Sequence, residues 1–328
     1  MQRILDPERI EAFAERSIPR LRFADPAELF LRRARRLRQL SETSTIAPYL
    51  ELMATVCEAQ QAALATLAEP PATAEAPPDT AAAAPERLAR ARAHGMPAVP
   101  ACGWPRDPHW RRALTEVCGA VTAREGFPDT VYSVCRRLLG EPAPVLEATA
   151  DRVLATRADG VDLEAAPFVM AALQVYWLHL TRLLAIDRST DQAAGASTRL
   201  ENDTPGVCPV CGTLPVASIV RAEGPYQGYR YLHCALCATE WHLVRITCSH
   251  CLATKGIGYQ FIEGGSQAIR AETCDNCRMY RKILYQEKDT AVEPVADDLA
   301  SLTLDLLLTG EGYRRAASNP LLWQPAGG

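Results

Sequence analysis

Four C-x-x-C pairs, in register along one short stretch of chain, constrain this sequence more than any other feature. They are Cys208/Cys211, Cys234/Cys237, Cys248/Cys251 and Cys274/Cys277. In each half 22 residues separate the first pair from the second, and every cysteine of the second half lies 40 positions after its counterpart. The match extends beyond the cysteines, since Glu223-Gly224, Gln227 and Arg230 recur as Glu263-Gly264, Gln267 and Arg270. A fixed-period match of this kind is an internal duplication. Two cysteines three apart on a tight turn present both sulfurs to one side, at a separation that fits two corners of a tetrahedron. A second such turn supplies the other two corners. About 40 residues is too short for a self-sufficient apolar core, so an ion would hold each unit folded. Duplication of a self-sufficient unit copies its whole site. The expected groups are therefore Cys208, Cys211, Cys234 and Cys237 for one ion, and Cys248, Cys251, Cys274 and Cys277 for another. Redox dithiols and a relic repeat that has lost its ions are the alternatives. The former would need one pair beside a βαβ pattern rather than four pairs in register.

The remaining composition narrows the class. The chain of 328 residues, 48% hydrophobic and 23% charged, is long enough for two or three folded units. Its N-terminus lacks the apolar stretch of a signal peptide, which predicts a cytoplasmic protein with reduced thiols rather than disulfides. The longest apolar stretch, Phe168–Leu180, spans 13 residues and contains Gln174 and His179. A membrane span needs roughly 20, so the stretch reads as a buried helix and no membrane partner is expected. A net charge of −4 opposes sequence-independent nucleic-acid binding.

Residues 1–200 read as an all-α domain. Phe30, Ala34 and Leu37 form one face of a helix whose far side carries Arg32, Arg35, Arg36 and Gln39. Leu50, Met53, Cys57, Leu64 and Leu67 make a second stripe, interrupted at Gln60. Leu114, Val117, Cys118 and Val121 repeat the spacing, as do Val131, Val134, Cys135 and Leu138. Another helix is expected near 145–157, and a largely apolar one from Pro167 to about Asp187. Residues 69–85, rich in Ala and Pro, read as an exposed loop, and Asp187–Gly206 as a polar hinge. Residues 204–246 and 247–288 are the two expected metal units. In 289–328, Pro294–Leu308 is expected to form a short helix that packs back through Leu299, Leu302, Leu306 and Leu307.

Cys57, Cys118 and Cys135 sit at apolar helical positions and read as small buried hydrophobes. Cys102 reads as a loop residue. His94, His109 and His179 have no partner at ligand spacing. His233, His242 and His250 lie within the metal region, where four cysteines already fill each site.

This arrangement of a helical front half followed by C-P-V-C-G, C-A-L-C, C-S-H-C and C-D-N-C resembles the FdhE family, the formate dehydrogenase accessory proteins. The resemblance spans nearly the whole chain, and the fourfold C-x-x-C array is its specific part. It implies a cytoplasmic assembly factor, not an enzyme, that contacts the catalytic subunit of formate dehydrogenase during maturation. It also implies rubredoxin-like iron on the eight cysteines, and no catalytic residue. Spacing alone accepts zinc as readily as iron. Only Cys208–Gly212 carries the C-P-x-C-G form, in which glycine permits the turn that aims amide groups at sulfur. Ala238, Leu252 and Arg278 follow the other pairs, and a zinc ribbon stays open there.

A nucleic-acid-binding zinc ribbon and a rubredoxin-type electron carrier are the competing readings. Residues 204–288 hold 9 Lys or Arg against 6 Asp or Glu, a mild excess rather than a phosphate-tracking stripe. Tyr226, Tyr229, Tyr231, Trp241, Tyr259, Phe261, Tyr280 and Tyr285 could stack bases, although packing a small module is their commoner use. An electron carrier has no evident need for 200 helical residues.

Overall fold

A computed structural model describes residues 19–68, 91, 93–155, 160–191 and 205–322. The expected loop at 69–85 lies outside these residues, and so does most of the expected hinge. The front half is built of helices α1 (Leu29–Ser41), α2 (Ala47–Ala68), α3 (Trp110–Ala123), α4 (Asp129–Gly140), α5 (Ala143–Leu154) and α6 (Ala166–Asp191). Their starts follow local chemistry. Asp162 accepts hydrogen bonds from the Glu164 and Ala165 amides ahead of α6, and Pro144 occupies the first turn of α5, where its missing N–H costs nothing. The four apolar stripes become the buried faces: Phe30, Ala34, Leu37, Leu50, Met53, Cys57, Leu64, Leu114, Val117, Cys118, Val121, Val134, Cys135 and Leu138 are all buried. Helix α6 runs through the middle of the bundle against α2, α3 and α5. Among the described residues no helix is long and apolar enough to cross a membrane.

Two positions depart from the simple stripes. Gln60, the interruption in α2, is fully buried and donates to Ala171 O and to Gln174 Oε1 at 2.9 and 3.0 Å. Arg36, expected on the solvent face of α1, is buried and pairs with Asp297 and Asp289. Its neighbour Arg33 is buried against Glu293. All three acids belong to the far end of the chain, which a local helical period does not encode.

The cysteine region forms one sheet. The first repeat contributes β2 (Pro215–Val220), β3 (Arg230–Cys234) and β4 (Glu240–His242), and the second β5 (Ile257–Gln260), β6 (Ile269–Cys274) and β7 (Met279–Tyr285). Each set is an antiparallel meander. The two are fused by parallel pairing of β2 with β7, Ser218 opposite Ile283 and Val220 opposite Tyr285. They are therefore not separate beads. The front half also donates β1 (Leu21–Arg22) to the outer edge of β4, which corrects the reading of residues 1–200 as purely helical. Two residues are too few to show a strand period.

The C-terminal segment folds back as expected, but as two helices, α7 (Pro294–Ala300) and α8 (Leu302–Gly310), which break at Ser301. A two-residue strand, β8 (Arg314–Arg315), then joins β7. Glu293 caps α7 by accepting from the Val295 and Ala296 amides. Leu299, Leu304 and Leu308 are buried, whereas Leu306 and Leu307 remain exposed, contrary to the expected inward face. The break at Ser301 resets the helical phase. One apolar core runs from the helices into the first repeat and α7, and a small second cluster of Ala271, Tyr280, Leu304, Leu308 and Tyr313 lies under the second repeat.

Candidate metal centres

In each repeat the two C-x-x-C pairs sit on facing turns. One turn precedes the first strand of the meander, and the other joins its second and third strands. The structure gathers Cys208, Cys211, Cys234 and Cys237 into one group and Cys248, Cys251, Cys274 and Cys277 into another, all four sulfurs of each within 4.8 Å of one another. Sulfurs of different repeats do not mix. The S···S separations are 3.6 Å (Cys208–Cys237), 3.4 Å (Cys211–Cys234), 3.7 Å (Cys248–Cys277) and 3.7 Å (Cys251–Cys274). A tetrahedron with metal–sulfur legs of about 2.3 Å has edges of about 3.8 Å. A disulfide would need about 2.05 Å. The donor set and its spacing thus fit a thiolate-bound ion, and each group is capable of holding one.

The backbone of the turns supports this chemistry. The residue after the second cysteine is left-handed in every case: φ is 76° at Gly212, 55° at Ala238, 61° at Leu252 and 56° at Arg278. The absence of glycine from three turns therefore did not change their shape. Gly212, Leu252 and Arg278 each donate their amide to the carbonyl of the first cysteine of the pair. Inside the turns, the amides of Leu236 and Cys237 point at Cys234 Sγ (both 3.3 Å), and those of His250 and Cys251 at Cys248 Sγ (3.4 and 3.5 Å). Such donors stabilise negative charge on sulfur.

The surroundings of the two groups differ. All four cysteines of the first are buried. Val99 and Ala101 donate their amides to Val210 O and Cys211 O, which clamps the loop near residue 100 onto the first turn. Trp177 of α6 holds that loop through Val99 O at 3.0 Å, and Gln174 reaches Ala235 O at 2.7 Å. A side chain at Gly212 would press on Pro97, so this glycine serves contact as well as turn. Thr213 Oγ1 lies 3.1 and 3.0 Å from the sulfurs of Cys211 and Cys234, and Thr239 Oγ1 lies 3.2 Å from Cys237 Sγ. These two threonines were missed in the sequence, although each stands two places after a pair, as C-x-T.

In the second group Cys251 and Cys277 are half-exposed. Asn276 Nδ2 donates to Cys251 Sγ at 3.5 Å and is the main cause that lowers this thiol to about 6. Arg281, also missed, is fully buried beside this group, and burial pulls its guanidinium down to about 9. Its Nε donates to Ser249 Oγ, within the first turn of the second repeat, at 2.8 Å.

None of the six histidines adds a ligand among the described residues. His250 is exposed, and His233 Nδ1 faces Glu240 Oε1 at 3.0 Å. Burial opposes ionisation of Glu240, but Arg221 and then His233 outweigh it and hold the carboxyl well below its usual range. Cys57, Cys118 and Cys135 are buried and Cys102 is exposed. Of the eight aromatic side chains in this region, Tyr231, Trp241 and Tyr280 are buried and only Phe261 is exposed, so they mainly pack the sheet.

Sequence models of the FdhE family match most of the chain: the FdhE N-terminal model at residues 18–195, the FdhE central domain at 207–245 and the FdhE C-terminal domain at 246–322. The chain belongs to the FdhE family. It is 38% identical over 307 residues to the protein FdhE homolog of Yersinia pestis (strain Pestoides F), covering 94% of this chain and 92% of that one. The FdhE homolog of Yersinia enterocolitica serotype O:8 matches to the same extent, 38% over 94% and 92%. The crystal structure of the FdhE protein from Pseudomonas aeruginosa superposes with a TM-score of 0.73 at 36% identity, covering 94% of this chain and 100% of that chain. Membership in this family makes the protein a formate dehydrogenase accessory protein, and its two four-cysteine groups are the chemical feature on which its role is to be read.

Proposed function

We propose that this protein is a cytoplasmic, non-catalytic factor that binds the catalytic subunit of formate dehydrogenase during maturation, with the eight cysteines ligating two metal ions. Closed four-sulfur shells leave no open coordination position, which suits a binding or sensing role rather than metal catalysis. The carrying observation is the exposure of the second repeat. Cys251 and Cys277 are half-exposed, and Leu252, Phe261, Ile262, Val244 and Ile246 present exposed apolar side chains from the same part of the chain. Exposed apolar side chains of this kind are available for partner contact. Strand β5, which ends at Gln260, is moreover an edge strand of the sheet. The family resemblance favours iron over zinc, while the amide donors at Cys234 and Cys248 suit thiolates on either ion.

The test is retention of the catalytic subunit by the immobilised full chain, with Leu252→Asp and Phe261→Asp variants alongside. Retention by the parent and loss in the variants supports the reading. Failure of the parent to retain the subunit, with tight retention of RNA or DNA at physiological salt, would favour a zinc-ribbon nucleic-acid protein. Metal analysis and visible absorption of protein purified without added metal decide between iron and zinc.

A further inference from the structure

Arg281 is the most conspicuous charge in the fold with no assigned partner. It is 3% exposed, and both Nη groups are buried without a hydrogen-bond partner. A cation taken out of water persists only against opposite charge. The two carboxylates that act on it, Asp298 and the opposite β6 residue Glu272, are committed elsewhere: Asp298 pairs with Arg315 and Lys282, Glu272 Oε1 accepts from Arg230 Nη2 at 2.7 Å and Oε2 accepts from the Tyr259 hydroxyl at 3.2 Å. Both Nη groups are closed off from bulk solvent.

The four-cysteine group does lie within reach. Cys274 stands two residues beyond Glu272 on β6 and so faces the same side of the sheet. That makes it the diagonal neighbour of Arg281, a separation of roughly 7 Å that a long side chain spans. Ser249, which accepts from Arg281 Nε, lies between Cys248 and Cys251 in the sequence. Cys248, Ser249, Cys274 and Arg281 line one small cavity. Four thiolates around a divalent ion carry a net charge of −2. The geometry points to Arg281 as the buried counter-cation of the second metal centre, an assignment that rests on the metal reading above. Forty positions earlier the first repeat has Trp241 instead, and there Thr213 offers a neutral hydroxyl to the sulfurs of Cys211 and Cys234. The two centres thus balance the same dianion differently, one by dipoles and one by a full charge.

The test loads the full chain with zinc alone and follows its transfer to a competing chelator, with Cys277→Ser marking the phase that belongs to the second centre. Arg281→Met should weaken zinc binding there by about 10–100-fold and leave the first centre unchanged. Arg281→Lys, which keeps the charge, should hold zinc more tightly than Arg281→Met. In the metal-free chain the sign reverses, because Arg281→Met removes a buried cation that has no ion pair of its own and should raise the thermal midpoint. Equal zinc affinity in the parent and Arg281→Met overturns the proposal. So does a loss that Arg281→Lys fails to relieve, whether or not the metal-free chain shows a melting transition. A parent that binds one zinc, with no Cys277-dependent phase, would instead sink the metal reading of the second group itself.

Discussion

The two cysteine groups share turn geometry, spacing and strand order, yet one is part of the protein's interior and the other lies at its surface. The first is closed over by the loop near residue 100, by α6 and by two threonines. Its apolar surroundings are continuous with those of the helical bundle. The second rests on a small cluster shared with α8, and Cys251 and Cys277 reach solvent. A duplicated unit therefore brings its own ligand set but takes its accessibility from what packs on it. The same divergence appears at equivalent strand positions. His242 packs against Tyr229 and Tyr231, whereas its counterpart Lys282 donates to Asp298 O, Ser301 O and Asp305 Oδ2 in the C-terminal segment.

The largest contrast should appear on removal of one ligand from each group. Cys234→Ser should lose an ion and destabilise the whole chain, because the first group anchors the common core. A fall in Tm of roughly 10 °C or more is expected. Cys277→Ser should lose an ion while the helical half keeps its midpoint, with new proteolysis confined to residues 247–288. Equal falls in Tm for the two variants would break the comparison.

Chemical access should follow the same order. In the metal-free chain a thiol reagent should modify Cys251 first, since it is half-exposed and its thiol is lowered to about 6, with Asn276 as the main cause. Mass spectrometry of the digest reads the order, and earlier labelling of Cys208 would contradict the burial of the first group. A smaller effect is expected from Gln174→Leu, which strips the Ala235 carbonyl and the Gln60 amide of a shared partner. It should cost about 1–3 kcal/mol in denaturant unfolding and leave the second centre's metal affinity unchanged.

The turn backbone allows a finer test. Leu252 is held at φ 61° and is 42% exposed, so Leu252→Gly removes a left-handed strain of about 1–2 kcal/mol with little lost packing. A net gain of a few tenths to about 1 kcal/mol is expected, since glycine adds unfolded-state entropy. Arg278→Gly should gain nothing, because the Arg278 guanidinium stacks 3.9 Å from the Tyr313 ring centroid and donates to Glu311 O. The smallest effect concerns pH. Burial first, and then the charges of Arg20 and Arg230, pull the His242 imidazole from 6.5 down to about 4. Between these values the unfolded chain takes a proton that the folded chain refuses. Stability present above pH 6.5 is therefore lost as pH falls towards 4. The Tm of His242→Asn should fall less steeply than the parent's over that window.

Much of this organisation was legible in the chain. The helical stripes around Phe30, Met53, Val117 and Val134 became buried faces because a 3.6-residue period is a local property. The cysteine register named two groups of four, because ligand spacing is set by a turn of a few residues. Other features were not readable. Arg36 looked like a solvent-facing charge until an acid some 260 residues away met it. Glycine was expected to mark the cysteine turns, yet Ala238, Leu252 and Arg278 adopt the same left-handed backbone under the constraint of the surrounding hydrogen bonds.

By itself the sequence determined the two four-cysteine groups, the helical half and the family to which the chain belongs. These depend on residues close together in the chain, or on a repeat that preserves its own spacing. Tertiary structure alone decided that β2 and β7 fuse the repeats into one sheet, that Leu21–Arg22 joins it, and that α7 locks onto α1. It also decided which cysteine group is sealed and which faces water. Burial is a property of what packs from outside, and the loop near residue 100 and helix α6 that seal the first group lie far from it in the chain.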